Sequence, residues 1–147
     1  MHRILCAVDH SDPSVRAARL AASLANKCDA ELVLVGVVGL PRGRQNEIAA
    51  YLSHERNPNP PGAVLMETAE DELMRLADQL AGNGGVAITC EVRGGDAANE
   101  IVAAAKDRGA DLVVVGHRGQ GRLAQVIMGS VARRILETAP CPVLVVR

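Results

Sequence analysis

Residues 112–131 read LVVVGHRGQGRLAQVIMGSV: an apolar run, four glycines (Gly116, Gly119, Gly121 and Gly129) in quick succession, then a serine that opens a new pattern. Three consecutive valines without polar alternation describe a strand covered on both faces, which is the habit of parallel sheets. Ala132, Ile135, Leu136 and Ala139 follow at i, i+3, i+4 and i+7, the spacing of an amphipathic helix. The stretch is therefore a strand, a glycine-rich loop and a helix, one unit of a wound α/β sheet.

The same unit recurs outward in both directions. Further apolar runs lie at Ile4–Val8, Leu32–Val38, Val86–Val92 and Pro142–Val146. Helical stripes lie between them at Ala17, Leu20, Ala21 and Leu24, at Leu73, Leu76, Ala77 and Leu80, and at Ala98, Ile101, Val102 and Ala105. Asp12 before Pro13 reads as a helix N-cap, Asp96 as another, and Gly109 as a left-handed helix stop. Strand and helix thus alternate five times with the last helix missing, which predicts one doubly wound α/β domain over residues 1–147, with a parallel sheet and helices on both faces. Such sheets bind ligands at the carboxyl ends of their strands, here Asp9, Val38–Gly39, Gly94–Asp96 and Gly116. Residues 39–62 hold four of the seven prolines, and the segment reads as either a mobile lid or a poorly ordered insertion, the second reading being favoured.

Composition removes several classes of partner. A formal net charge of -1 with 22% charged residues gives no broad field for nucleic acid or an anionic membrane. Tyr51 is the single aromatic residue, so base-stacking platforms are missing and a base held here would lie between aliphatic walls. Cys6, Cys28, Cys90 and Cys141 are widely spaced and read as reduced, buried thiols. No run approaches the ~18 apolar residues of a membrane span, and the N-terminal apolar run is too short for a secretion signal, so the reading is a soluble, cytoplasmic protein.

Glycines admit an anion to the backbone, and a helix starting near Ser130 offers unpaired N–H groups and a positive dipole end. Together they describe a phosphate cradle. The Walker A pattern fits from Gly116 to Gly121 but has Arg122 and Leu123 where Lys and Ser or Thr are required. Gly119, Gly121 and Ala124 match the dinucleotide fingerprint, yet the last strand runs to Arg147 without the acidic residue that would hold a ribose. Ser130 reads as an N-cap whose hydroxyl is also available to a phosphate. Asp9 suits either a ligand or the turn into the first helix. His117 and Arg118 face either phosphates or solvent.

GHRGQGRLAQVIMGS, read as G-x2-G-x9-G-[ST], together with ILCAVDHSDPS, GADLVVVG and SVARRILETAPCPVLVVR, resembles the universal stress protein family over nearly the whole chain except residues 39–63. The resemblance implies a five-stranded sheet of order 3-2-1-4-5 that binds ATP, with Mg²⁺ carried by the nucleotide. It implies a triphosphate against Gly116, Gly119, Gly129, Ser130 and Val131, contacts from Ala7, Val8 and Asp9, and adenine near the backbone of Val37, with His117 and Arg118 inside the motif. Gly36 stands where the family usually has histidine, which implies a looser adenine side. The expected function is a regulatory nucleotide-binding module of the stress response with at most slow hydrolysis, since Asp9 is the one obvious carboxylate for γ-phosphate chemistry. Alternatives are a dimeric interaction protein holding another adenine nucleotide or none, and a Mg²⁺-dependent hydrolase using Asp9 with His117 as base. The resemblance also implies a homodimer through Pro142–Val146, the apolar sheet edge.

Overall fold

The computed structural model describes residues 1–39, 61–82, 85–118 and 128–147. Within them the apolar runs become strands β1 (Arg3–Val8), β2 (Glu31–Val38), β3 (Ile88–Gly94), β4 (Leu112–Gly116) and β5 (Val143–Val146). Helices α1 (Asp12–Cys28), α2 (Pro61–Ala81), α3 (Ala97–Arg108) and α4 (Ser130–Thr138) separate them. The sheet is parallel throughout, in the order β3-β2-β1-β4-β5. Consecutive β1 residues point to opposite faces and build two cores: Ile4, Cys6 and Val8 pack with α1 and α2, Leu5 with α3 and α4.

Burial follows strand position. The central strands β1, β2 and β4 are buried on both faces, which is why their sequences show no alternation. β3, which falls within the apolar run Val86–Val92 except for its last two residues, differs from these three strands in that it alternates. Ile88, Cys90 and Val92 pack on the α1/α2 side, whereas on the opposite side Glu91 accepts hydrogen bonds from Arg93 (2.5 Å) and Arg108 (2.8 Å). Arg93 also pairs with Asp107 at 2.8 Å. At a sheet edge one face goes without a helix, and charged side chains cover it.

Helix starts and stripes shift slightly from the sequence expectation. The cap of α1 is Ser11, whose hydroxyl accepts from the backbone N–H of Ser14, and Asp12 is already helical. Asp96 caps α3, and Gly109 ends it with φ 60°. The buried face of α1 is Ser14, Ala17, Ala18, Ala21, Ala22 and Ala25, a row of small residues that lets the helix lie close to the sheet. Leu20, expected in the buried stripe, is exposed, as is Leu136 on α4. All four cysteines are free, but only Cys6 is buried; Cys90 and Cys141 are half-buried and Cys28 is exposed at the end of α1. The expected disorder of residues 39–62 lies mostly outside the described residues; α2 begins at Pro61.

Candidate functional site

β1 lies where the sheet reverses direction of winding: β2 is its neighbour on one side and β4 on the other. Connections therefore leave the ends of β1 and β4 toward opposite faces, and a crevice opens between them. In this molecule the crevice is a cavity of about 610 Å³ above the ends of β1, β2 and β4, within the size range of small-molecule sites. Its walls are aliphatic: Ala7, Val35, Val37 and Val115 from the strands, Ala97 and Ile101 from α3, Ala132 and Ile135 from α4. Its polar groups come from Asp9, Ser14, Arg118, Ser130 and Arg133.

The two readings of Asp9 turn out to be compatible. Its Oδ1 accepts from the Ser11 backbone N–H at 3.1 Å and the Ser11 hydroxyl at 2.5 Å, so it builds the turn into α1. Ser14 Oγ accepts from the Asp9 N–H at 3.3 Å and donates to the Ser11 carbonyl at 2.9 Å, fixing the same turn from the other side. Asp9 nevertheless lines the cavity, beside Ala7 and Val8.

Gly116 is required for a reason the loop did not disclose. A Cβ there would sit 2.8 Å from Pro13 C and Ser14 N and 3.0 Å from Pro13 Cβ, so the start of α1 lies directly on the end of β4. This close approach brings both to the cavity. Gly36 corrects another expectation. A Cβ at this position would meet Leu73 and Val92 at ordinary contact distance, on the α1/α2 side. Since Val35 and Val37, not Gly36, line the cavity, the missing side chain at Gly36 does not loosen it.

The start of α4 forms one end of the cavity. Gly129 is the N-cap, in extended conformation, and Ser130, expected as the cap, is instead the first helical residue. The Gly129 N–H is spent on the His117 carbonyl at 2.8 Å, and its own carbonyl accepts from Arg133 N–H at 3.0 Å. The following first-turn N–H groups, of Ser130, Val131 and Ala132, have no intrahelical acceptor by the geometry of a helix start. All three residues line the cavity. Gly119 lies outside the described residues.

His117 and Arg118 part company. The His117 backbone N–H donates to Val146 at 2.7 Å, and its ring Nδ1 lies 3.3 Å from the same carbonyl, so the side chain attends to the end of β5 and does not line the cavity. Arg118 does line it, and its Nε is withdrawn from solvent with no hydrogen-bond partner among the described residues. A buried guanidinium nitrogen without an acceptor is costly unless a ligand supplies one. Among the described residues no three His, Cys, Asp or Glu side chains come together as a metal site.

Arg133, Ala97 and Ile101 were absent from the expected site. The two α3 residues looked like ordinary core, as helical stripes do; the available signal was that α3, like α4, must start at the carboxyl end of the sheet. Arg134, next to Arg133, leaves the cavity altogether and binds Asp96 at 3.1 Å and Asn99 at 2.9 Å, tying the first turns of α4 and α3 together.

The profile of the universal stress protein family matches residues 1–147. A universal stress protein of Methanocaldococcus jannaschii is 34% identical over 99% of this chain and 81% of its own length. One from Bacillus subtilis is 31% identical over 99% of both chains. Among solved structures, a universal stress protein from Lactobacillus plantarum superposes with a TM-score of 0.78 at 24% identity, covering 99% of this chain and 97% of its own. Another, in complex with cAMP, gives 0.72 at 21% identity with 99% and 97% covered. The Archaeoglobus fulgidus protein in complex with dAMP gives 0.67 at 21% identity with 100% and 98% covered.

Proposed function

Because this chain belongs to the universal stress protein family, we propose that its cavity binds an adenine nucleotide, with ATP as the working ligand, and that the protein is a regulatory nucleotide-binding module of the stress response. The observation that carries this reading is the unpartnered Nε of Arg118 in a cavity that also holds the start of α4. One end of the cavity is built for an anion and the other for an apolar ring. The family-level support is that relatives of the same fold were solved with cAMP and dAMP.

In this reading phosphate oxygens accept from the first-turn N–H groups of Ser130 and Val131 and from Arg118, beside the backbone of Gly116, Gly119 and Gly129. The base lies against Val37, Ala7 and Ile101, with Val8 and Asp9 at the ribose side. Mg²⁺ would travel with the phosphates, held by one or two carboxylates at most, as is usual for that ion; Asp9 is the carboxylate in position. When bound, it would neutralise phosphate charge. Asp9 is engaged in the α1 turn and His117 at the end of β5, so neither is free to act as a base on an attacking water, and hydrolysis is at most slow.

The test is calorimetric titration of ATP with Mg²⁺ into nucleotide-stripped protein, beside Arg118→Met, which keeps the aliphatic stem and removes the donors. Loss of one charge-assisted hydrogen bond, about 1.5–3 kcal/mol, should weaken ATP by about tenfold or more and leave adenosine nearly unchanged. A parent that binds no adenine nucleotide would end this reading.

A second feature supports association into a homodimer. Strand β5 ends the sheet, and Pro142 and Val146 turn their carbonyls toward β4, accepting from Val113 at 3.0 Å and His117 at 2.7 Å. By the alternation of a strand, Val143 and Val145 then present backbone groups outward, ready for a second copy of the edge.

A further inference from the structure

Among the described residues, the charged side chains lining the cavity are Asp9, Arg118 and Arg133, two cations against one carboxylate. Asp9 already accepts two hydrogen bonds from Ser11. The positive end of the α4 dipole adds to the excess. The two arginines occupy different depths. Arg118 has its Nε withdrawn from solvent, whereas Arg133 is exposed at the rim.

Arg133 reaches the rim because of its place on the helix. It is the fourth residue of α4, with its N–H bonded back to Gly129. Helical side chains lean toward the N-terminus, so a long side chain at this position extends over the first turn, where the free N–H groups lie. Its neighbour Arg134, about 100° further round the helix, is occupied by Asp96 and Asn99. Arg133 has no such duty: among the described residues no hydrogen bond or ion pair engages its guanidinium. An arginine kept unpaired at a cation-rich rim is placed to meet an anion that extends outward from the cavity.

We propose that Arg133 makes this site prefer a nucleoside polyphosphate over a monophosphate, by contacting phosphates beyond the first. The proposal rests on the reading of the cavity as an adenine-nucleotide site. A single phosphate is served by the α4 first turn and Arg118. Arg133 gains a partner only when the chain of phosphates is longer.

The experiment measures Kd for AMP, ADP, ATP and inorganic tripolyphosphate, each with Mg²⁺, on the full chain and on Arg133→Gln and Arg133→Lys, with thermal unfolding as the check on folding. The parent should bind ATP at least tenfold more tightly than AMP. Arg133→Gln should compress that ratio about tenfold while AMP stays within about twofold, and Arg133→Lys should retain most of it. An unchanged ratio in Arg133→Gln, or equal losses for AMP and ATP, would overturn the assignment. If tripolyphosphate binds and weakens with Arg133→Gln while no nucleotide binds, the nucleotide reading falls and the role of Arg133 stands. If no anion binds the parent, both fall.

Discussion

At Gly116 the requirement for glycine comes from the neighbouring helix as well as from the cavity. Its missing Cβ is the space occupied by the backbone of Pro13 and Ser14, and its main chain forms part of the cavity floor. The motif reading placed Gly116 among the phosphate glycines, but one residue of the sequence could not show that α1 rests on it, since the contact spans the whole fold. Gly116→Ala should therefore destabilise the protein by about 1–3 kcal/mol, the usual cost of forcing atoms into a packed site, because the clashing atoms are backbone and cannot rotate away. Urea unfolding of the pair measures it; equal midpoints would mean that α1 shifts freely, and the account of Gly116 would be wrong. Cysteine shows the same dependence on packing. Burial inside β1 pushes the Cys6 thiol up to about 12, whereas Cys28, between Lys27 and Asp29 at the end of α1, is exposed.

At the scale of single elements, the glycine loop and its helix were legible in kind and shifted in detail. The helix was expected to be capped by Ser130, but the chain enters through Gly129, whose N–H is held by His117 from the end of β4. A one-residue shift matters chemically, because it moves Ser130 from a capping duty to a free position in the first turn. Likewise β3 and β5 both have half-buried positions throughout, yet β3 covers its outer face with Glu91 and Arg93 while β5 carries valine and leucine only. In the proposed homodimer, that asymmetry favours β5 over β3 as the pairing edge. Val145→Pro removes an outward N–H and leaves the hydrogen bonds to β4 from Val113 and His117 in place, a substitution edge strands tolerate. Sedimentation should show the parent as a dimer and the variant shifted to monomer; a variant that stays dimeric at the same concentration would move the interface elsewhere.

For the whole molecule, the end of the sheet opposite the cavity is tied by carboxylates. Asp111 accepts from the backbone N–H groups of His2 (2.5 Å) and Arg3 (3.0 Å), joining the start of β1 to the start of β4. Glu31 accepts from Arg3 at 2.8 Å and from Thr89 at 3.0 Å, joining β1, β2 and β3. The Arg3 hydrogen bond, the largest effect, is opposed by burial and reinforced by Thr89 and the charges of Arg3 and Arg108, and the balance holds Glu31 below the usual glutamate range. The His2 and Arg3 amides do the same for Asp111. For a carboxylate depressed in the folded state, the stabilisation is complete above its unfolded value and is lost as pH falls through the folded one. Stability should thus hold from neutrality to about pH 5 and fall below about pH 4. Glu31→Gln should lower stability by about 1 kcal/mol at pH 7 and flatten the acid slope, since the pair is half-exposed and solvent screens it. Urea midpoints taken from pH 7 to pH 3.5 decide this: parallel curves for parent and variant would remove Glu31 from the account.

The sequence by itself determined the strand and helix order, the parallel sheet, the layer arrangement and the location of the cavity, because each rests on local periodicity and on the winding rules that periodicity obeys. It also marked Asp9, Arg118 and the start of α4, whose chemistry is carried by residue type. Tertiary structure alone decided which side chains of neighbouring residues point into the cavity. Arg133 lines it while Arg134 turns to Asp96; Val37 lines it while Gly36 faces α2; Arg118 lines it while His117 turns to β5. Such choices depend on the rotation of a helix and the register of a strand, set by packing between segments far apart in the chain, and no short stretch of sequence contains that information.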